Sequence, residues 1–382
     1  MPKRAPLSEL ATLFLGLGVK AFGGPAAHIA MMRNEVVERR KWLTDNEFLD
    51  LLAATSLIPG PNSTEMAIHL GYKRGGLPGL LLAGTCFILP ACLIVSAIAW
   101  GYVRYGDTPQ VAWLMYGVSP VIIAVVLEAI WKLGRTAITG IFPALLGITV
   151  VALSLTGWNE LALLGAAGLL SLMVGLVRPT TAAVLAATIV AFTTSLAAAS
   201  AAAASEVPVT LTRLTLFFLK VGSILFGSGY VLIAFLRADL TDQWGWLTDQ
   251  QLIDAVTVGQ VTPGPVFTTA TFIGYLLAGW SGAVLATLAI FTPGFVFVAL
   301  TQPIIPRLRA SRLASGLLDG IVVASLSLMI AVTWHLGRSA IVDLPTALLA
   351  AAAVVAIFVW RPNSTWLILG GALSGWLLRG GA

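Results

Sequence analysis

Charge is what this chain has least of. Only 10% of its 382 residues are Asp, Glu, Lys or Arg, while 58% are hydrophobic. Soluble domains carry about 25% charged residues, so an ordinary water-soluble globule is excluded. Polar stretches long enough to form a soluble domain are missing as well. There are two cysteines, Cys86 and Cys92, inside one apolar stretch. They provide no disulfide scaffold and read as small buried hydrophobes. The three histidines lack metal-ligand spacing, so no zinc site, metal or cofactor is expected. Strands of alternating polarity are also lacking, which argues against an outer-membrane barrel. The net charge of +5 reads as membrane topology rather than nucleic-acid binding.

What is present is length of apolar run. Leu77–Trp100, Trp113–Ile130, Leu161–Val177 and Thr181–Ala204 each reach the roughly 20 residues that cross a bilayer. The N-terminus mimics a signal peptide, with Lys3-Arg4 followed by Leu10–Val19. However, Phe14 and Gly18 recur as Phe218 and Gly222, so this run is expected to stay with the rest of the chain.

That recurrence is general. Shifted by 204 positions, Phe22-Gly23 meets Phe226-Gly227, Arg33 meets Arg237, and Asp50 meets Asp254. Trp42-Leu43-Thr44-Asp45 meets Trp246-Leu247-Thr248-Asp249, and Pro59-Gly60-Pro61 meets Pro263-Gly264-Pro265. After one deletion the shift is 203, and Gly71-Tyr72 meets Gly274-Tyr275. The pattern predicts an all-α polytopic membrane protein with a first repeat over 8–177, a linker transmembrane segment over 178–208 and a second repeat over 209–380. Each repeat opens with two broken hairpins. Thr44 and Thr248 fit capping boxes, and each following helix must break at its Pro-Gly-Pro. Four ordinary spans follow, at 77–103, 111–133, 140–156 and 159–177 in the first copy. The extra linker crossing makes the repeats inverted. Loop charge agrees: Arg39-Arg40-Lys41 stands opposite Gln243-Trp244-Gly245, and Lys73-Arg74 opposite Leu276-Leu277. The expected orientation is N-terminus cytoplasmic and C-terminus periplasmic.

Breaks inside a membrane survive only where they face protein or a watery cavity. A helix starting after a break offers free N–H groups and a positive dipole end to an anion. After the first Pro-Gly-Pro come Asn62, Ser63 and Thr64, and after the second come Thr268 and Thr269. After the glycine breaks come Pro25 to His28, and Gly229 to Tyr230. Inverted packing would gather these helix starts near the midplane, forming a compact donor-rich site suited to a tetrahedral oxyanion. Lys20 and Lys220 either add positive charge there or snorkel to the interface. Arg33 and Arg237 either point to the cavity or pair with Glu35 and Asp239. Glu65, Glu128, Asp50, Asp254 and His28 are candidates for coupling transport to protons, against a purely structural hydrogen bond for each.

Phe22-Gly23-Gly24-Pro25, Trp42-Leu43-Thr44 with Phe48-Leu49-Asp50, Pro59 to Thr64, Phe226-Gly227-Ser228-Gly229 and Thr262 to Pro265 together resemble the chromate ion transporter family, in its long two-domain form. The resemblance covers nearly the whole chain. It implies chromate efflux across the bacterial inner membrane, driven by membrane potential or a proton gradient and giving chromate resistance. It also implies two domains of opposite orientation. The motif residues it carries over are Phe22, Gly23, Gly24, Pro25, Pro59, Gly60, Pro61, Asn62, Phe226, Gly227, Pro263, Gly264 and Pro265. The second copy departs from the first at Ser228, Gly229, Val266 and Phe267. Sulfate shares chromate's shape and charge and is a candidate competitor, which the resemblance does not exclude. A sulfate or other oxyanion transporter and a passive anion channel remain alternatives. A membrane enzyme would need a nucleophile, metal cluster or acid–base pair, and none recurs. The exposed apolar surface is compatible with a homodimer.

Overall fold

The computed structural model describes residues 6–22, 24–55, 58–106, 108–176, 207–225, 231–301, 312–360, 362 and 364–380. The expected linker span lies outside the described residues apart from its last two. So do Gly23, Phe226, Gly227, Ser228, Gly229 and Tyr230.

Among the described residues all regular structure is helical. The first repeat comprises α1 (Leu7–Lys20), α2 (Gly24–Arg33), α3 (Asp45–Thr55), α4 (Asn62–Tyr105), α5 (Pro109–Ala137), α6 (Ile141–Leu155) and α7 (Glu160–Leu176). The second comprises α8 (Leu211–Ile224), α9 (Leu232–Phe235), α10 (Asp249–Val261), α11 (Thr269–Thr301), α12 (Arg312–Ala340), α13 (Leu344–Val359) and α14 (Ser364–Gly380). The capping boxes form: the Thr44 amide donates to Glu47 at 2.9 Å and the Thr248 amide to Gln251 at 3.0 Å, each answered by a return bond. Sequence patterning missed one feature. Both α2 and α9 continue into π-helical turns, Asn34–Arg39 and Leu236–Gln243. These close with five-residue hydrogen bonds, Arg40 to Glu35 and Trp244 to Asp239.

Among the described residues, four segments are long and apolar enough to cross a membrane: Asn62–Tyr105, Pro109–Ala137, Val266–Thr301 and Gly316–Ala340. The expected spans over 140–156 and 159–177 appear as α6 and α7, of 15 and 17 residues. α6 falls short of the roughly 20 residues of a full crossing, and α7 is described only as far as Leu176. Conversely, α4 has 44 residues, about 66 Å at 1.5 Å per residue, more than twice the hydrocarbon thickness of about 30 Å. It cannot be straight. At Gly76 the backbone takes φ 65° and ψ −151°, a region open to glycine, and the helix folds back on itself. The counterpart fold in α11 falls at Ala278 and Gly279. A short arm therefore packs against a long span in each copy, with Gly71 on Gly79 and Gly274 on Gly282 in backbone contact.

The leading hairpins return to the side they leave. Arg40, beyond the first π turn, pairs with Glu9 at the start of α1, at 2.5 Å. Lys73, near the end of the short arm of α4, pairs with Glu47 at the start of α3, at 2.8 Å. Both breaks of the first copy therefore sit at the inner tips of re-entrant hairpins.

Inversion is visible in α5 and α12, which are counterparts. Gly134 of α5 lies beside Leu326 of α12, and Gly337 of α12 beside Ile123 of α5. The two helices are thus antiparallel, as a two-fold axis across the helix direction requires. The halves also exchange their last helices: α5 packs on α13 and α14, and α12 on α6 and α7. Gly117 makes backbone contact with Gly371 and Gly375, and Gly320 with Ala167. Side chains such as Ile141, Leu344, Trp360 and Trp366 are exposed, as expected of a surface facing lipid and its interfaces.

Candidate functional site

The breaks meet in two pairs through the backbone. The Gly60 amide donates to the Leu225 carbonyl at 2.7 Å, and the Gly264 amide to the Ala21 carbonyl at 2.8 Å. Gly60 and Gly264 are counterparts, as are Ala21 and Leu225. Each Pro-Gly-Pro is therefore pinned to the glycine break of the other repeat. Gly60 and Gly264 have φ 140° and 107°, a conformation L side chains rarely adopt. Bracketing prolines leave the glycine as the amide able to make this bond.

The first copy presents the richer set of donors. Pro61 caps α4, its carbonyl accepting from Thr64 at 2.8 Å and Glu65 at 3.1 Å. The amides of Asn62 and Ser63 stand in the first turn, where a helix offers no acceptor. Ser63 and Thr64 are buried. Among the described residues, the Thr64 hydroxyl and the Asn62 side-chain oxygen have no hydrogen-bond partner. Glu65 is fully buried, with both carboxyl oxygens in the same condition. In the second copy the hydroxyls turn inward: Thr268 donates to the Pro265 carbonyl and Thr269 to the Val266 carbonyl, each at 2.8 Å. The 3-10 turn Val266–Thr268 places these acceptors within reach of the two hydroxyls.

His28 is also at the tip. Its Nε2 lies 2.9 Å from the Ala21 carbonyl, which can only accept, so Nε2 carries the hydrogen. The ring stands edge-on to Phe87 at 5.7 Å. Phe22 is part-exposed, Gly24 opens α2 at φ 79°, and Pro25 is half-buried.

Other candidates lie away from the tips. Arg33 pairs with Glu38 and Asp45, and Arg237 with Asp242 and Asp249, in matched clusters. Their partners are thus not Glu35 and Asp239. Glu35 takes Arg39 and Arg40, and Asp239 takes Lys220 at 2.5 Å. Lys20 is exposed and lines a cavity of about 350 Å3 with Thr12, Gly16, Glu35, Arg39 and Arg40. Glu128, read as lying at depth, pairs with the exposed Lys132 at 2.5 Å; a lysine four residues on supplies its countercharge. Asp50 is exposed on α3. Its counterpart Asp254 is buried and accepts from Tyr102 at 2.7 Å and Gln250 at 2.8 Å. Gln250 also reaches Ser119, so Asp254 ties α10 to α4 and α5. Nothing in local sequence spacing signals that link.

A duplicated, antiparallel, helix-broken core with donors at its centre defines an integral membrane transporter built of two repeats. The chain belongs to the chromate transporter family, whose model matches residues 8–172 and again 212–376. It is 34% identical over 373 residues to the chromate transport protein of Cupriavidus metallidurans, covering 96% of this chain and 91% of that one. It is 31% identical to the probable chromate transport protein of Synechococcus elongatus, covering 91% and 89%. It is 30% identical to the chromate transport protein of Pseudomonas aeruginosa, covering 99% and 94%. No solved structure matches the chain. The family is one of membrane transporters, not enzymes.

Proposed function

We propose that this protein exports chromate across the bacterial inner membrane, with the N-terminus cytoplasmic, by alternating access of its inverted halves. The observation that carries this reading is the reciprocal pair Gly60–Leu225 and Gly264–Ala21. It joins each Pro-Gly-Pro tip to the glycine break of the other half, so a rocking motion of either half acts on the donor-bearing tips. Asn62, Ser63 and Thr64 supply the binding donors, and a tetrahedral dianion suits a small site rich in N–H and O–H groups. The names of the relatives support chromate as the ion. Export of a dianion down an inside-negative potential is favourable by about 4.6 kcal/mol per 100 mV.

Sulfate has the same shape and charge, so selectivity is decided by competition. Purified protein in liposomes, given labelled chromate and an imposed potential, should carry chromate toward the positive side with little inhibition by sulfate. Strong sulfate inhibition with poor chromate movement would reassign the substrate. No potential-driven flux of either ion would refute the transporter reading at these tips.

A further inference from the structure

Glu65 stands in a recess made for a carboxyl group. It is fully buried at the first turn of α4, directly beside the donors Asn62, Ser63 and Thr64, and among the described residues neither of its oxygens has a hydrogen-bond partner. Gly60 makes room for it, and Gly294 lies beside it. A Cβ on Gly60 would collide with Oε1, and one on Gly294 of α11 would lie 4.0 Å from Oε1. The second copy fills the corresponding space differently. There Thr269 replaces Glu65 and bonds its own turn. Ala91 replaces Gly294, and its methyl lies 2.6 Å from where a Gly264 Cβ would be. The recess thus belongs to one half of a pseudo-symmetric centre.

An ionised carboxylate without a donor is costly in such a place, and its charge would repel a dianion at the adjacent amides. A neutral acid meets neither objection. The elements packed against α4 bring other ionisable side chains: Glu9 and Lys20 on α1, His28 and Arg33 on α2, Asp45, Glu47 and Asp50 on α3, and Asp249 and Asp254 on α10. α4 itself adds His69, Tyr72, Lys73, Arg74, Tyr102, Arg104, Tyr105 and the thiols Cys86 and Cys92, and α11 adds Tyr275. None of these hydrogen-bonds to Glu65.

We propose that Glu65 binds one proton, which travels with each oxyanion. Resting on the oxyanion-transport reading above, the inference adds its coupling. The carboxylate takes up a proton to become the acid when the oxyanion is bound. It returns that proton to the aqueous side on which the oxyanion leaves. Each cycle then moves a dianion and a proton, one net negative charge. By linkage, the oxyanion tightens proton binding as much as the proton tightens oxyanion binding.

The test uses proteoliposomes with the potential clamped at zero and a pH difference as the sole driving force. One-to-one coupling should concentrate the oxyanion about tenfold for each pH unit, toward the alkaline side. E65Q should give no pH-driven accumulation, whatever its absolute rate. Accumulation that persists in E65Q, accumulation toward the acidic side, or wild-type flux indifferent to pH would each overturn the proposal. So would a requirement for a sodium gradient. Infrared spectroscopy of the purified protein with saturating chromate or sulfate supplies a readout independent of flux: a protonated-carboxyl band at neutral pH that E65Q removes. If neither chromate nor sulfate moves, the transport reading fails, while the band still decides whether Glu65 holds a proton. An unchanged band in E65Q would exclude it.

Discussion

Replacing Gly264 with alanine should break the contact between the halves, and the cost divides into two measurable parts. The first is backbone strain. At φ 107° an L residue pays about 1–2 kcal/mol or more. The second is steric. The added methyl would lie 2.6 Å from the Ala91 methyl, roughly an ångström inside ordinary carbon contact, and such overpacking costs about 1–3 kcal/mol. Shifting the tip to relieve it also stretches the Gly264–Ala21 hydrogen bond, adding about 1 kcal/mol. G264A should therefore lose about 3–6 kcal/mol in equilibrium unfolding in mixed micelles, taking the sum of these parts. Two companions separate the terms. G245A has φ 64° and open space around the new methyl, so it should lose only the backbone part, about 1–2 kcal/mol. G264A combined with A91G should recover the steric part, about 1–3 kcal/mol. If G264A is no worse than G245A, or if A91G restores nothing, the tip is not packed as described.

Three further outcomes are expected. T64V should weaken oxyanion uptake about 10- to 100-fold in apparent affinity, as loss of a hydrogen bond to a charged group does, with expression intact. T268V should change it much less, because the Thr268 hydroxyl already serves Pro265; equal effects would argue against the first-copy site. Asp343, in the loop before α13, is held below its usual 3.8 by the Thr346 amide and the Tyr116 hydroxyl. A carboxyl lowered on folding gives stability that is full above its unfolded value and is lost as pH falls through the folded one. D343N should therefore flatten the loss of stability below about pH 4, and an unchanged acid limb would count against the cap. Single cysteines introduced beside Arg39 and Trp244 should label from opposite faces of the membrane, and labelling from one face would contradict the proposed orientation.

Much of the fold was legible because the repeat acts as an internal control. Thr44 and Thr248 cap as their spacing requires, and the two Pro-Gly-Pro segments break their helices. The π turns were not legible, since Asn34–Arg39 and Leu236–Gln243 carry no composition that separates five-residue from four-residue bonding. The site was legible in part. Thr64 and Thr268 are matched threonines at one register, yet one hydroxyl is unpartnered and the other satisfied by a 3-10 turn. Arg33 and Arg237 looked equally suited to a cavity or to ion pairs. Their partners, twelve residues on at Asp45 and Asp249, emerged only when α3 and α10 folded against the π turns.

The sequence by itself determined that this protein lives in a membrane, contains one unit twice and interrupts its helices at fixed places. Hydropathy, repetition and the missing amide of proline are local properties of the chain. Which breaks meet is set by three-dimensional packing. The bonds Gly60–Leu225 and Gly264–Ala21 join residues far apart in sequence, and Glu65 is brought beside Gly294 of the other half. Such contacts follow from antiparallel packing of the two halves, which no segment specifies alone.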